Sequence, residues 1–248
     1  MKYKFRRVII ALILTGGIAW WLIVNPESYE TEYILADIGE NSGVDFDAIA
    51  TSELDENSPL ATEVLEKIEV KGRAPKTGYT REEFYSSWPT IDGCNLRQRI
   101  IKREFGDSAV LADDNCSVMS GEYDEPYTGS HLVFYQKTEI SDGVQIDHVV
   151  ALSDAWQKGA QNLTKEKRKE LATDPLNLLA VDSATNQGKS DGDASTWLPP
   201  NKAFRCQYVA RQVSVKYKYD LWVTDSEKTA IKKILEKCPN EPAIGVEL

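Results

Sequence analysis

Two histidines, His131 and His148, are the only imidazoles in the 248-residue chain, which excludes a zinc site built from several histidines. His148 follows Asp147 inside Val144-Gln-Ile-Asp-His-Val-Val, where apolar residues continue through the charged pair. A carboxylate beside an imidazole in an apolar strand is costly unless something compensates it. A metal ion or a phosphate would do so. Further on, Asn177 stands at the start of a second apolar run, and Asn186 opens Asn-Gln-Gly-Lys-Ser-Asp at an expected helix start. Carboxylate, imidazole and two amides in this order suit hydrolysis around a hard cation, for which oxygen donors are the natural ligands. His131 follows a turn and has no such companions.

The elements that must position these residues are short and mixed. Val144–Ala151 and Leu176–Val181 read as strands, and Ser183–Gly188 as the start of a helix. Asp142-Gly143 is a hairpin signal between Leu132–Gln136 and the Val144 strand. Thr80 with Glu83 three residues later is a capping-box pattern, and Leu96–Phe105 has a helical apolar face at Ile100 and Ile101. Helices are also expected over 153–160, 164–173, 202–219 and 225–237, the last capped by Asp225. The expected class is α+β, one helix-rich domain over residues 70–248.

Charge and export narrow the reading. The formal net charge of −10 argues against a nucleic-acid partner only while it is taken as uniform. Residues 1–24 carry +4, residues 25–68 carry −11, and residues 69–248 carry −3. The objection therefore weakens for the domain. Lys2, Lys4, Arg6 and Arg7 precede the uncharged run Val8–Val24, which Trp20 and Trp21 close. This predicts an N-terminal membrane helix over 1–24, an acidic stalk over 25–69 and a domain outside the cell membrane. A cleaved signal peptide is the competing reading, less favoured because no small-x-small site follows. Export makes two disulfides the expectation for Cys94, Cys116, Cys206 and Cys238, with sequence neighbours paired, against four buried thiols.

The stretch Val144–Trp197 resembles the HNH endonucleases, whose ββα-metal fold joins two antiparallel strands to one helix around a divalent ion. Asp147-His148, Asn177 and Asn186 match that motif, the last standing where the family often has His. A longer resemblance, about Thr80–Cys238, is to exported bacterial HNH proteins related to the nuclease half of Gmr-type restriction enzymes. It rests on Asp92-Gly-Cys, Pro126-Tyr-Thr-Gly, Asp147-His-Val-Val-Ala-Leu, Ala155-Trp, Trp197-Leu-Pro-Pro-Asn and Arg205-Cys. The resemblance implies Mg²⁺ or Mn²⁺ held by Asp147 and Asn186, with His148 as general base. It further implies that Asn177 fixes the imidazole or the phosphate, and that the products carry 5′-phosphate and 3′-hydroxyl ends.

Lys189 is a candidate to neutralise a neighbouring phosphate. Arg97, Arg205 and Lys216-Tyr-Lys-Tyr are candidates to hold the nucleic-acid backbone. The implied partner is nucleic acid, DNA first, with no nucleotide cofactor. A silent binding module of the same fold and a structural envelope protein are the rival classes.

Overall fold

In a computed structural model, residues 58–136 and 143–246 are described. The central feature is a two-stranded antiparallel ribbon, β6 (Val144–His148) with β7 (Leu178–Asp182), in the register Val144↔Asp182 to His148↔Leu178. Before it in the chain come β1 (Thr90–Ile91), β2 (Cys94–Asn95), β3 (Val110–Leu111), β4 (Val118–Asp124) and β5 (His131–Tyr135). β1 pairs with β2, and β3, β4 and β5 form a second antiparallel sheet in that order. The hairpin expected at Asp142-Gly143 is therefore not formed: β5 pairs with β4, and β6 with β7. Residues 137–142 lie outside the described residues.

β7 is buried on both faces, since successive side chains of its apolar run point to opposite sides. Leu178 and Ala180 join the cluster beneath α2 (Leu96–Phe105), while Leu179 and Val181 join another with α1 (Ala61–Lys67), α6 (Arg205–Lys218) and α7 (Asp225–Leu235). α2 forms where the sequence places it. Asn95 accepts from Arg97 N at its start, and Leu96, Ile100, Ile101 and Phe105 are buried along one side. Phe105 lies so close over Gly121 that a Cβ there would sit 2.3 Å from its ring. Glycine is what lets β4 pass under the helix.

Two short helices, α3 (Leu152–Gln157) and α4 (Lys165–Thr173), connect β6 to β7. α5 (Ser183–Lys189) follows β7 directly, capped by Asp182, whose carboxylate accepts from Thr185 N at 2.7 Å. Strand, strand and helix thus follow the expected order. The expected strand at Leu176 begins two residues later, because Pro175–Asn177 makes a 3-10 turn, and β6 ends at His148 instead of Ala151. The Thr80 segment is only a 3-10 turn, Arg81–Glu83, and Thr80 makes no side-chain cap. α7 is capped by Thr224 with Glu227, not by Asp225.

The folded body begins earlier than residue 70. Ala61, Val64 and Leu65 of α1 are fully buried against α6 and α7, so the last part of the expected stalk is core. After α1 the chain crosses the body as a strap. Lys71 N donates to Val223 O at 3.0 Å and Ala74 N to Gln157 O at 2.8 Å. Both disulfides join sequence neighbours, Cys94–Cys116 and Cys206–Cys238. In the chain-entropy view each stabilises by about 3–4 kcal/mol.

The expected membrane helix over 1–24 and the stalk up to residue 57 lie outside the described residues. Among the described residues no helix is long and apolar enough to cross a membrane.

Candidate active site

The end of β6 sends its two functional side chains to opposite faces, as the pleat dictates. Asp147 turns to the face covered by α5. Its carboxylate accepts from the Tyr127 hydroxyl and, at 2.9 Å, from Lys189 Nζ. Burial pushes the Asp147 carboxyl up, opposed by Lys189 and Tyr127, which favour the charged form. The same burial raises the Tyr127 hydroxyl well above its ordinary value, so it stays a donor.

His148 turns the other way, into an aromatic box. Trp88 lies parallel to the imidazole with centroids 5.9 Å apart, and Tyr85 stands 6.0 Å away. Nε2 is 2.9 Å from Ala172 O. A carbonyl can only accept, so Nε2 carries the proton and Nδ1 of the neutral ring keeps its lone pair. Burial, and after it the charge of Arg81, pushes the imidazole down to about 3. The ring is therefore neutral at physiological pH.

Asn177 does not reach the imidazole, contrary to expectation. Its Oδ1 accepts from Val150 N at 2.8 Å and its Nδ2 donates to Leu171 O at 3.2 Å. It thus ties the chain just after His148 to the chain just before Ala172. Both ends of the Nε2 hydrogen bond are held by one buried amide. Asn186 lies on α5 and gives its Nδ2 to Gln145 Oε1 at 3.0 Å, leaving its carbonyl oxygen as the acceptor end.

Lys189 is the largest correction among the expected residues. Its ammonium is buried, bonded to Asp147 Oδ1 and, at 2.8 Å, to His148 O. It stands three residues after Asn186, hence on the same side of α5, and braces the end of β6 instead of facing a phosphate. Arg97 donates to Val144 O at 3.1 Å and Arg205 to Pro199 O at 2.7 Å, so both expected backbone-binding arginines hold main chain instead. Lys216 is buried among carboxylates and Lys218 pairs with Asp174 at 2.7 Å. His131 is exposed and paired with Asp124 at 2.9 Å.

Asp147, His148 and Asn186 meet along one cleft of about 370 Å³, which Lys76, Tyr79, Arg81, Ser153 and Asp191 also line. The sequence gives no motif for Lys76, Tyr79 or Arg81. Tyr127 and Trp88 were equally unassigned, although the Pro126-Tyr-Thr-Gly turn marks the first. The carboxylate of Asp147 and the amide oxygen of Asn186 are hard oxygen donors, which fits Mg²⁺ or Mn²⁺ better than a thiolate-seeking metal. Among the described residues Cys206, Cys238 and Glu241 cluster closely enough to share an ion, but the two sulfurs are already joined in a disulfide.

With this geometry in place, comparison with known proteins decides the family. Residues 96–234 match the GmrSD restriction endonucleases, C-terminal domain. The chain belongs to this family. The GmrSD family points to a nuclease, and so to a hydrolase. A protein of the fungus Arthroderma benhamiae (strain ATCC MYA-4681 / CBS 112371), described as an uncharacterized secreted protein, is 38% identical over 185 residues, covering 73% of this chain and 86% of that protein. The resemblance is therefore not confined to bacterial proteins. No solved structure matches the chain. The cell-membrane localisation expected from the sequence is overturned: the fungal relative is described as secreted, and among the described residues no helix is long and apolar enough to span a bilayer.

Proposed function

We propose that the chain is a secreted, metal-dependent endonuclease that hydrolyses phosphodiester bonds of DNA by a one-metal HNH mechanism. The observation that carries this reading is the convergence of Asp147, His148 and Asn186 on one cleft at the end of a strand–strand–helix unit. The two disulfides and the description of the fungal relative support an extracellular site of action.

Asp147 and Asn186 would hold Mg²⁺ or Mn²⁺. When bound, such an ion polarises the phosphate and stabilises the departing 3′-oxygen. His148 Nδ1 takes a proton from the attacking water, while Nε2–H stays on Ala172 O and fixes the ring's tautomer. Trp88 and Tyr85, whose ring centroids are 5.2 Å apart, together shield one side of the imidazole from bulk water. The incoming phosphate carries negative charge, which raises the imidazole from its depressed value towards the range where a base is effective. The resemblance to HNH enzymes implies 5′-phosphate and 3′-hydroxyl ends.

A second reading is a nucleic-acid-binding module that does not cut. It is favoured by one observation, the Lys189 ammonium already seated on Asp147. Each carboxylate oxygen has two acceptor sites, so that contact and the Tyr127 contact do not exhaust Asp147. The deciding experiment incubates the full chain with supercoiled plasmid and with RNA under Mg²⁺, Mn²⁺, Ca²⁺ or Zn²⁺, with and without EDTA. Nicking that EDTA stops, and that His148→Ala lowers about 10²–10⁴-fold, is the expected result. Equal cutting by His148→Ala rejects the mechanism, and binding without cutting by the wild type establishes the second reading.

A further inference from the structure

With Lys189 buried and Arg97 and Arg205 held by main-chain carbonyls, none of the expected side-chain cations is left for the phosphate to be cut. The eight described arginines answer the question by elimination. Arg73, Arg99, Arg103 and Arg168 are paired with carboxylates. Arg97, Arg205 and Arg211 donate to main-chain carbonyls. Arg81 is different. Among the described residues no carboxylate and no carbonyl holds its guanidinium, which lies over the Tyr85 ring with 5.0 Å to the centroid and donates to the Tyr85 hydroxyl.

That position is next to the chemistry. Arg81 is exposed, and it lines the same cleft as Asp147, His148 and Asn186. Tyr85, on which it rests, is itself in ring contact with His148. The guanidinium is thus one ring removed from the imidazole, held by its neighbour's face yet with donors to spare. A planar fork of donors matches two oxygens of one phosphate, which a lysine ammonium cannot do. Lys76 also lines the cleft, but its ammonium is engaged by Asp191 at 3.3 Å.

We propose that Arg81 is the substrate-phosphate ligand of this cleft, a catalytic residue that grips the non-bridging oxygens of the phosphodiester beside His148. The proposal rests on the nuclease reading and deepens it: the bound group is a nucleic-acid phosphate, held bidentately by a residue of the cleft lining. No proton moves through Arg81. It aligns the phosphate and offsets the charge that builds on its oxygens during attack.

The test uses the full chain, with duplex DNA as probe. Arg81→Gln should cut about 10²-fold more slowly at saturating Mg²⁺, with an unchanged melting temperature. Binding is then followed in His148→Ala, which holds DNA without cutting it. There, adding Arg81→Gln should lower the slope of log affinity against log salt by about 1, the signature of one lost phosphate contact. Arg81→Lys should keep that slope and regain only part of the rate, since it restores charge without the fork. Unchanged rate and slope in Arg81→Gln overturn the proposal, as does wild-type cutting by Arg81→Lys. If Arg81→Gln melts lower, Arg81→Lys alone decides, through its rate at unchanged slope. Failure of the nuclease reading would look different, because the wild type itself would then bind DNA without cutting it.

Discussion

Two regions of this protein bury charged side chains, and they use them in opposite ways. One lies among α3, α6 and α7. There Lys158 Nζ is 2.7 Å from Asp154, Asp193 and Glu227, Lys216 Nζ is 2.7 Å from Glu227, and Arg73 is 2.8 Å from Asp154. Three cations meet three carboxylates. Burial disfavours the charges, but Lys158 holds Asp193 well below its ordinary range, and Asp154 with Glu227 hold Lys216 well above its own. The other region is the end of β6, where one carboxylate and one ammonium are paired but a neutral imidazole and an amide oxygen face a cleft. A cluster whose charges are paired with one another is a brace. An open one with unused donor and acceptor capacity can do chemistry.

Removing Lys158 should break the comparison most severely. Lys158→Met leaves buried carboxylates without their common cation, and denaturant unfolding should show a loss of about 3–5 kcal/mol. A variant that keeps wild-type stability would mean the cluster is not the brace described. Next in size, Asn177→Ala should cost about 1–3 kcal/mol, because Val150 N and Leu171 O lose their partner. Cutting should fall with the Michaelis constant unchanged, because the variant loosens the base and touches no substrate. A rise in that constant alone would instead make Asn177 a substrate contact.

A third effect sharpens the comparison through pH. His148 is folded with its pKa pushed down to about 3, against about 6.5 unfolded. The unfolded chain therefore binds a proton that the folded chain refuses. This contribution to stability is complete above about pH 6.5 and is lost as pH falls towards 3. His148→Gln should flatten the stability profile in that window, as read by thermal melts across pH. A profile with the same slope would mean that the imidazole is solvated in the folded protein.

The legible part of the site was the part written in periodicity. Asp147 and His148 have to point apart once Val144–Ala151 reads as a strand, and α2, α5 and the disulfide pairing follow from local patterns. Lys189 was misjudged because a lysine near a motif looks like a phosphate ligand. Its spacing from Asn186 already placed it on the side of α5 that faces Asp147, and that signal was available. β4 went unread because Gly121 interrupts its alternation, for a reason that lies in Phe105 on a different element. Arg81 could not be found from sequence at all. Its freedom is defined by what the other described arginines are doing in three dimensions.

The strap after α1 is fixed by main-chain hydrogen bonds at Lys71 and Ala74, and its side chains at Lys76, Tyr79 and Arg81 form one wall of the cleft. That wall precedes the stretch 96–234 shared with the GmrSD domains, whereas Asp147, His148 and Asn186 lie within it. The cleft is thus assembled from two separate lengths of chain, only one of which is shared with that family. Backbone atoms anchor the strap at those two points, and the Tyr79 ring packs against Phe84 and Trp156. Exchanging the exposed strap positions while keeping Tyr79 and Arg81 is therefore a route to retarget the cleft without disturbing the two strands and helix.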